Sequence, residues 1–184
     1  GKHTRGPEIE LSPELRQLTI FAGGRDAEGE MTYRELFSAD IDNFIKPLAL
    51  LTYDQEGRFN ARVIDESPDT HPTGQVRFLN LFDQSIAVNF SGDSFVLPAQ
   101  DERVVLPDPT AMGQHDSFSF RYGTVDEAGK WVSPEFAFRL KRPEQRLLVA
   151  FTYLRVEEQV GGGQQSEDIV HFSPRAYLMM DMVR

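Results

Sequence analysis

Cysteine is absent from the 184 residues. Disulfide staples, thiol catalysis and thiolate metal sites go with it, and so does blue-copper chemistry, which needs a Cys ligand. No apolar run approaches 18 residues, so the chain encodes no membrane-spanning helix. Helical periodicity is nearly missing. Basic residues are outnumbered 19 to 29, leaving a net charge of −10. An acidic surface repels phosphate backbones, which argues against nucleic acid and anionic lipid as partners, and its plainest consequence is solubility. Two catalytic signatures are also missing. Gly161–Gly163 lacks the Lys-Ser/Thr continuation of a phosphate loop, and no Gly-x-Ser-x-Gly elbow occurs.

What is present is alternation. Residues 75–106 hold three short apolar-alternating runs and a fourth after them. Val76, Phe78 and Phe82 share one face of the first, interrupted by Asn80; Ile86, Val88 and Phe90 share one face of the second. A period of two is what a half-buried strand needs, because successive side chains leave opposite sides of the pleat. Ser91–Ser94 reads as a hairpin turn, with Gly92-Asp93 supplying the positive-φ geometry. The same pattern recurs at Phe118, Phe120 and Tyr122, and again at Phe136, Phe138 and Leu140. Leu147–Leu154 is apolar on both faces, as expected of a strand covered on both sides.

The segments between follow turn chemistry. Residues 1–14 read as an extended leader and 15–184 as one domain, with a C-terminal hairpin or tail from about 156. Leu15–Ala22 is a strand ended by Gly23-Gly24. Thr32–Glu35 fits a capping box for a short helix, and 25–44 otherwise reads as irregular. Ile45–Tyr53 and Phe59–Asp65 form strands joined by the turn 54–57, with Pro47 marking an edge or bulge. The loops 65–74 and 107–114 each carry two prolines and a glycine, which bars a ladder. Asp168–Phe172 and 175–184 are two further strand candidates. The whole describes an all-β protein, an antiparallel β-sandwich of about ten to twelve short strands with minimal helix. At this length about 70% of the unfolded surface can be buried, enough for a core without staples.

Ile20–Gly23, Pro47–Leu51, Val63–Pro68, Gly74–Leu81 and Arg146–Ala150 together carry a resemblance. An Asp65-x-Ser67-Pro68 loop precedes a strand ending Arg77-Phe78-x-Asn80-Leu81, and a short hairpin follows. This resembles uncharacterised exported bacterial β-sandwich domains of immunoglobulin-like or cupredoxin-like type. The resemblance implies a sandwich fold and a periplasmic, cell-surface or secreted compartment; it names no activity. The start at Gly1-Lys2-His3, without Met, fits a protein whose signal peptide has been removed.

Candidate sites are weak. His3, His71, His115 and His171 form neither His-x-His nor His-x-x-x-His, so no metal-ligand pair is encoded. Loop 65–75 groups Asp65, Glu66, Asp69 and His71; a solvated turn is the expectation and a hard-cation site the alternative. Asp40 and Asp42 have the same standing. Trp131 follows a turn, and one exposed ring would make a small sugar platform. Met179, Met180 and Met182 read as core filler or an edge cover. No catalytic, cofactor or metal residue is named. The reading is a non-enzymatic structural or protein-interaction module of the bacterial envelope, partnered by another envelope protein or a glycan. A carbohydrate-binding module is the alternative and a divergent hydrolase the second. Exposed aromatics would mark the former, and a pocket with two carboxylates of raised pKa the latter.

Overall fold

A computed structural model describes residues 12, 14–54, 56–111, 118–125, 131–133, 135–138, 145–160 and 167–182. They form strands β1 (Gln17–Arg25), β2 (Met31–Asp40), β3 (Pro47–Tyr53), β4 (Phe59–Asp65), β5 (Val76–Asn80), β6 (Ile86–Phe90) and β7 (Asp93–Leu97). β8 (Glu102–Val105), β9 (Phe118–Val125), β10 (Trp131–Val132), β11 (Glu135–Phe138), β12 (Gln145–Val160) and β13 (Glu167–Met182) follow. The one helical element among them is a 3₁₀ turn at Pro109–Ala111. The chain is thus all-β with minimal helix, as the alternation predicts.

Three sheets result. β1 and β2 pair alone as a hairpin. The larger sheet runs β4-β3-β12-β5-β8, with β13 added along β12. The smaller runs β10-β9-β6-β7, with β11 also on β9. The larger and smaller sheets face each other as a sandwich. Val76, Phe78, Leu147, Val149 and Phe151 project from one, and Ile86, Val88, Phe90, Phe120 and Tyr122 from the other, all essentially shielded from water. Phe78 stands at the centre. Its ring lies 5.1 Å from Phe90, 5.7 Å from Phe95 and Phe120, and 6.2 Å from Phe151, mostly edge to face. Burial of each such ring contributes roughly 1.5–3 kcal/mol, before the added gain from ring geometry.

The larger sheet curls into a half-barrel, so its other face is also covered. Leu79, Leu81, Leu148 and Ala150 meet Ile64, with Leu48 and Leu50 against them. This explains why β12 is apolar on both faces between Leu147 and Tyr153. The ladder between β12 and β5 is parallel, while the other described ladders are antiparallel. Strands buried on both faces are where parallel pairing is found.

Several local expectations change. Thr32–Glu35 is not a helix start: it lies in β2, where Tyr33 opposes Gly23 and Glu35 opposes Phe21. The hairpin is closed by Asp26, whose Oδ1 accepts the Glu28 and Glu30 amides at 3.1 and 2.8 Å. β propensity of Thr, Tyr and Phe with a ready partner strand outweighs an isolated capping box. Gly23-Gly24 therefore continues the strand, and a Cβ at Gly23 would sit 3.4 Å from the Met31 methyl and 3.5 Å from the Tyr33 ring. Consequently 25–44 is not irregular throughout, since β2 takes up Met31–Asp40. The β6–β7 turn centres on Ser91 (φ 54°) and Gly92 (φ 85°), one residue earlier than Gly92-Asp93. Asp168–Phe172 and the tail after 175 merge into the single strand β13, paired along β12 from Gln145↔Met182 to Val160↔Glu167.

Candidate functional site

The largest departure from the sequence reading is in loop 65–75. Glu66, Ser67 and His71 are not in a solvated turn: their residues are 3%, 0% and 0% exposed. Asp65 starts the fold of the loop. Its Oδ1 accepts the Lys46 amide at 2.9 Å and the Ser67 amide at 3.0 Å, and its Oδ2 accepts the Ser67 hydroxyl at 3.0 Å. The amides of Thr70 and His71 then donate to Ser67 O. This Asx-type turn aims Glu66 and His71 inward over the mouth of the half-barrel.

Two arginines meet them there, on the face that Leu79 and Leu148 occupy further along the same strands. Arg77 of β5 donates through Nη1 to Glu66 Oε1 at 3.0 Å and to Asp65 O at 2.6 Å, and through Nη2 to Glu102 Oε1 at 2.7 Å. Arg146 of β12 donates through Nη1 to His71 O at 2.9 Å, with its Nε 3.9 Å from Glu66 Oε2. His71 Nδ1 lies 3.1 Å from Glu66 Oε2 and its Nε2 lies 3.3 Å from Gln75 O. Both ring nitrogens face acceptor oxygens. Burial alone would raise the Glu66 carboxyl; the bonds and charges of His71 and Arg77 outweigh it and hold the group below the usual carboxylate range. Asp65 is likewise lowered: burial opposes, and the Lys46 and Ser67 donors prevail.

This cluster is closed. Its carboxylate oxygens are engaged by protein donors, and no group of three His, Asp or Glu suited to a metal exists among the described residues. The cation alternative for loop 65–75 gains nothing from the geometry. Asp40 and Asp42 are also engaged: Asp40 Oδ1 accepts the Asp42 amide at 2.9 Å, and Asp42 pairs with Arg16 at 3.2 Å. The resolved shifts at Asp54, Asp65, Glu66 and Asp108 are all downward. A general acid needs the opposite.

A different surface is open. The outward face of the smaller sheet carries a groove of about 640 Å³. Strand register builds it. Ser94 opposes Asn89, Asn89 opposes Arg121, and Arg121 opposes Glu135, so one polar row crosses β7, β6, β9 and β11. Asn89 Nδ2 donates to Ser94 Oγ at 2.8 Å; Arg121 donates to Glu135 Oε2 from Nε at 2.9 Å and from Nη2 at 2.6 Å. The flanking positions are small: Ala87 opposite Gly123 on one side, Ser119 on the other. Short neighbours leave the four polar side chains standing clear of the sheet.

The remaining candidates are placed as follows. The Trp131 backbone pairs with Val125, two residues beyond Gly123, and its side chain lies outside the described residues. His171 opposes Val156, and Met179, Met180 and Met182 oppose Leu148, Leu147 and Gln145, by backbone alone. His3, His115 and Gly161–Gly163 lie outside the described residues. Compared with known proteins, the chain matches no protein-family model, no curated protein and no solved structure. Function has to be read from the site itself.

Proposed function

We propose that this chain is a non-enzymatic binding module of the bacterial cell envelope, and that its ligand lies across the outward face of the smaller sheet. The observation that carries this is the contrast between two polar clusters. Glu66, His71, Arg77 and Arg146 are shut away and committed to one another, which suits holding a loop in place. Ser94, Asn89, Arg121 and Glu135 stand in register at the surface, in a groove within the range of about 300–1,000 Å³ typical of ligand sites. The envelope compartment is taken from the resemblance of Val63–Pro68 and Gly74–Leu81 to exported sandwich domains.

A protein contact through the β1–β2 hairpin is a second reading. Phe21, Met31 and Tyr33 are 54%, 50% and 69% exposed there, and Phe21 and Tyr33 oppose Glu35 and Gly23 on one face. Exposed apolar groups collected on one element mark contact surfaces. A photo-crosslinking residue placed at Ser119, Tyr33 or Arg58 in the source cells separates the readings. Adducts at 119 from an envelope fraction are expected. Adducts at 33 alone would move the contact to the hairpin, and no adduct beyond the Arg58 background at either position would overturn the binding-module reading.

A further inference from the structure

Resting on the binding-module reading, we infer that the Ser94–Asn89–Arg121–Glu135 row holds a neutral carbohydrate chain. Three features of the row select that chemistry. The first is charge. Arg121 is neutralised by Glu135 within the row, so the row is net zero on a protein of net charge −10. An anionic polymer would meet an unfavourable field and no spare cation, and a cationic one would have to compete with Arg121 for Glu135.

The second is the kind of group on offer. The row presents hydroxyl, amide, guanidinium and carboxylate, a mixed set of donors and acceptors. After the bonds within the row, Asn89 Oδ1, Glu135 Oε1 and the Ser119 hydroxyl remain to engage a ligand that both donates and accepts at every step, as a polyol does. The described side chains of this face include one large apolar group, Val96, which sits at the end opposite Ala87. Among the described side chains a protein partner would find no anchor pocket, since protein interfaces concentrate binding on buried aromatic and apolar groups.

The third is length. Four strands at the inter-strand spacing of 4.7–4.9 Å make the row about 14 Å long, which favours an extended chain over a compact molecule. The flanking Ala87, Gly123 and Ser119 leave room for it to lie flat.

The test is affinity electrophoresis of the full chain through gels containing laminarin, xyloglucan, galactomannan or soluble starch, with alginate as the anionic comparison. Retardation by at least one neutral polysaccharide is expected. Ser119→Trp, which fills the groove, should weaken it at least tenfold, and Arg58→Ala, on the turn before β4, should leave it unchanged. Arg121→Ala is the second variant, because it removes an exposed ion pair of small energetic weight and keeps the fold. The inference is overturned if no neutral gel retards the protein, if alginate alone does, or if both groove variants migrate like the parent. Protein adducts at residue 119 without polysaccharide retardation would overturn the carbohydrate ligand and keep the binding-module reading. Neither adducts nor retardation would overturn both.

Discussion

Glu66→Gln tests the buried network directly. The substitution keeps the side chain's shape and removes its charge. Glu66 is 3% exposed and faces Arg77 at 3.0 Å, His71 at 3.1 Å and Arg146 at 3.9 Å. Without its charge, these groups remain buried with one fewer anion, and Glu102 answers Arg77 from a partly solvated position. Breaking a buried pair by removing one partner costs about 3–5 kcal/mol. In a domain of this length each kcal/mol lowers Tm by roughly 2–4 °C, so the variant should melt roughly 6–20 °C below the parent. The pH dependence has a definite sign. The Glu66 carboxyl is held below its ordinary value in the fold, so its contribution is complete above the unfolded pKa of about 4.3 and is lost as pH falls through the lower folded value. The gap between parent and Glu66→Gln should therefore be full at pH 7 and narrow below pH 4. Urea unfolding followed by circular dichroism, with the slope of free energy against urea checked for constancy, measures both. A gap below 1 kcal/mol at pH 7, or one that does not narrow in acid, would refute the claim that the charge of Glu66 organises the loop.

Asn80→Ala should cost roughly 2–4 kcal/mol, because Asn80 is fully buried, its Nδ2 donates to Gln84 O and Pro98 O at 2.8 Å, and its Oδ1 accepts the Phe82 amide at 3.0 Å; equilibrium unfolding measures it, and a loss under 1 kcal/mol would contradict it. Gly92→Ala should cost about 1–2 kcal/mol in the same assay, since φ is 85° in a two-residue turn that a side chain adopts with strain. Tyr153 is pushed up to about 12, first by burial and then by the charge of Asp83. Its neutral form is the one the fold favours, so that contribution is complete below about pH 10 and is lost as pH rises through 12. Absorbance titration should show one tyrosine ionising with this lag, and Tyr153→Phe should abolish it.

The strands of the smaller sheet were legible where one face is buried. Ile86, Val88 and Phe90 point inward and Ala87 and Asn89 outward, which is the plain period of two. Leu147 and Leu148 are both buried, as their unbroken apolar run implies. Strand order and direction were not legible. Nothing in the sequence of β12 says that β5 lies beside it and runs parallel, since direction depends on the connection and not on the face pattern. The ionic network was missed for a related reason. Glu66 and His71 in a Pro-containing loop carry the composition of a solvated turn, and the Arg146 bond to His71 O spans 75 residues. The available signal was the pair of arginines, Arg77 inside the run Val76–Leu81 and Arg146 at the head of Leu147–Phe151. A cation within a buried strand requires an anion nearby, and the nearest acidic residue before Arg77 that faces inward is Glu66. The surface row was half legible. The polarity of Asn89, Ser94 and Arg121 was plain in each strand, but their alignment needed the order β7-β6-β9-β11.

That order also decides where a ligand can bind. A sandwich has four sheet faces, two of which make the central core. The larger sheet curls over its own outer face, filling it with Leu79, Leu148, Ile64 and, at its mouth, the ionic network. The smaller sheet lacks such a cover among the described residues: its outward positions with described side chains are Ala87, Asn89, Ser94, Val96, Ser119, Arg121 and Gly123, small or polar in every case but Val96. Had this face been meant for a second layer of the same protein, its alternation would have placed apolar side chains there, as it does on both faces of β12. Its polarity keeps it open to water, and its register, pairing Asn89 with Ser94 and Arg121 with Glu135, fixes the side chains before any ligand arrives. Polar groups already held in place lose less freedom on binding than mobile ones do, which favours a surface that recognises a flexible, hydroxylated chain.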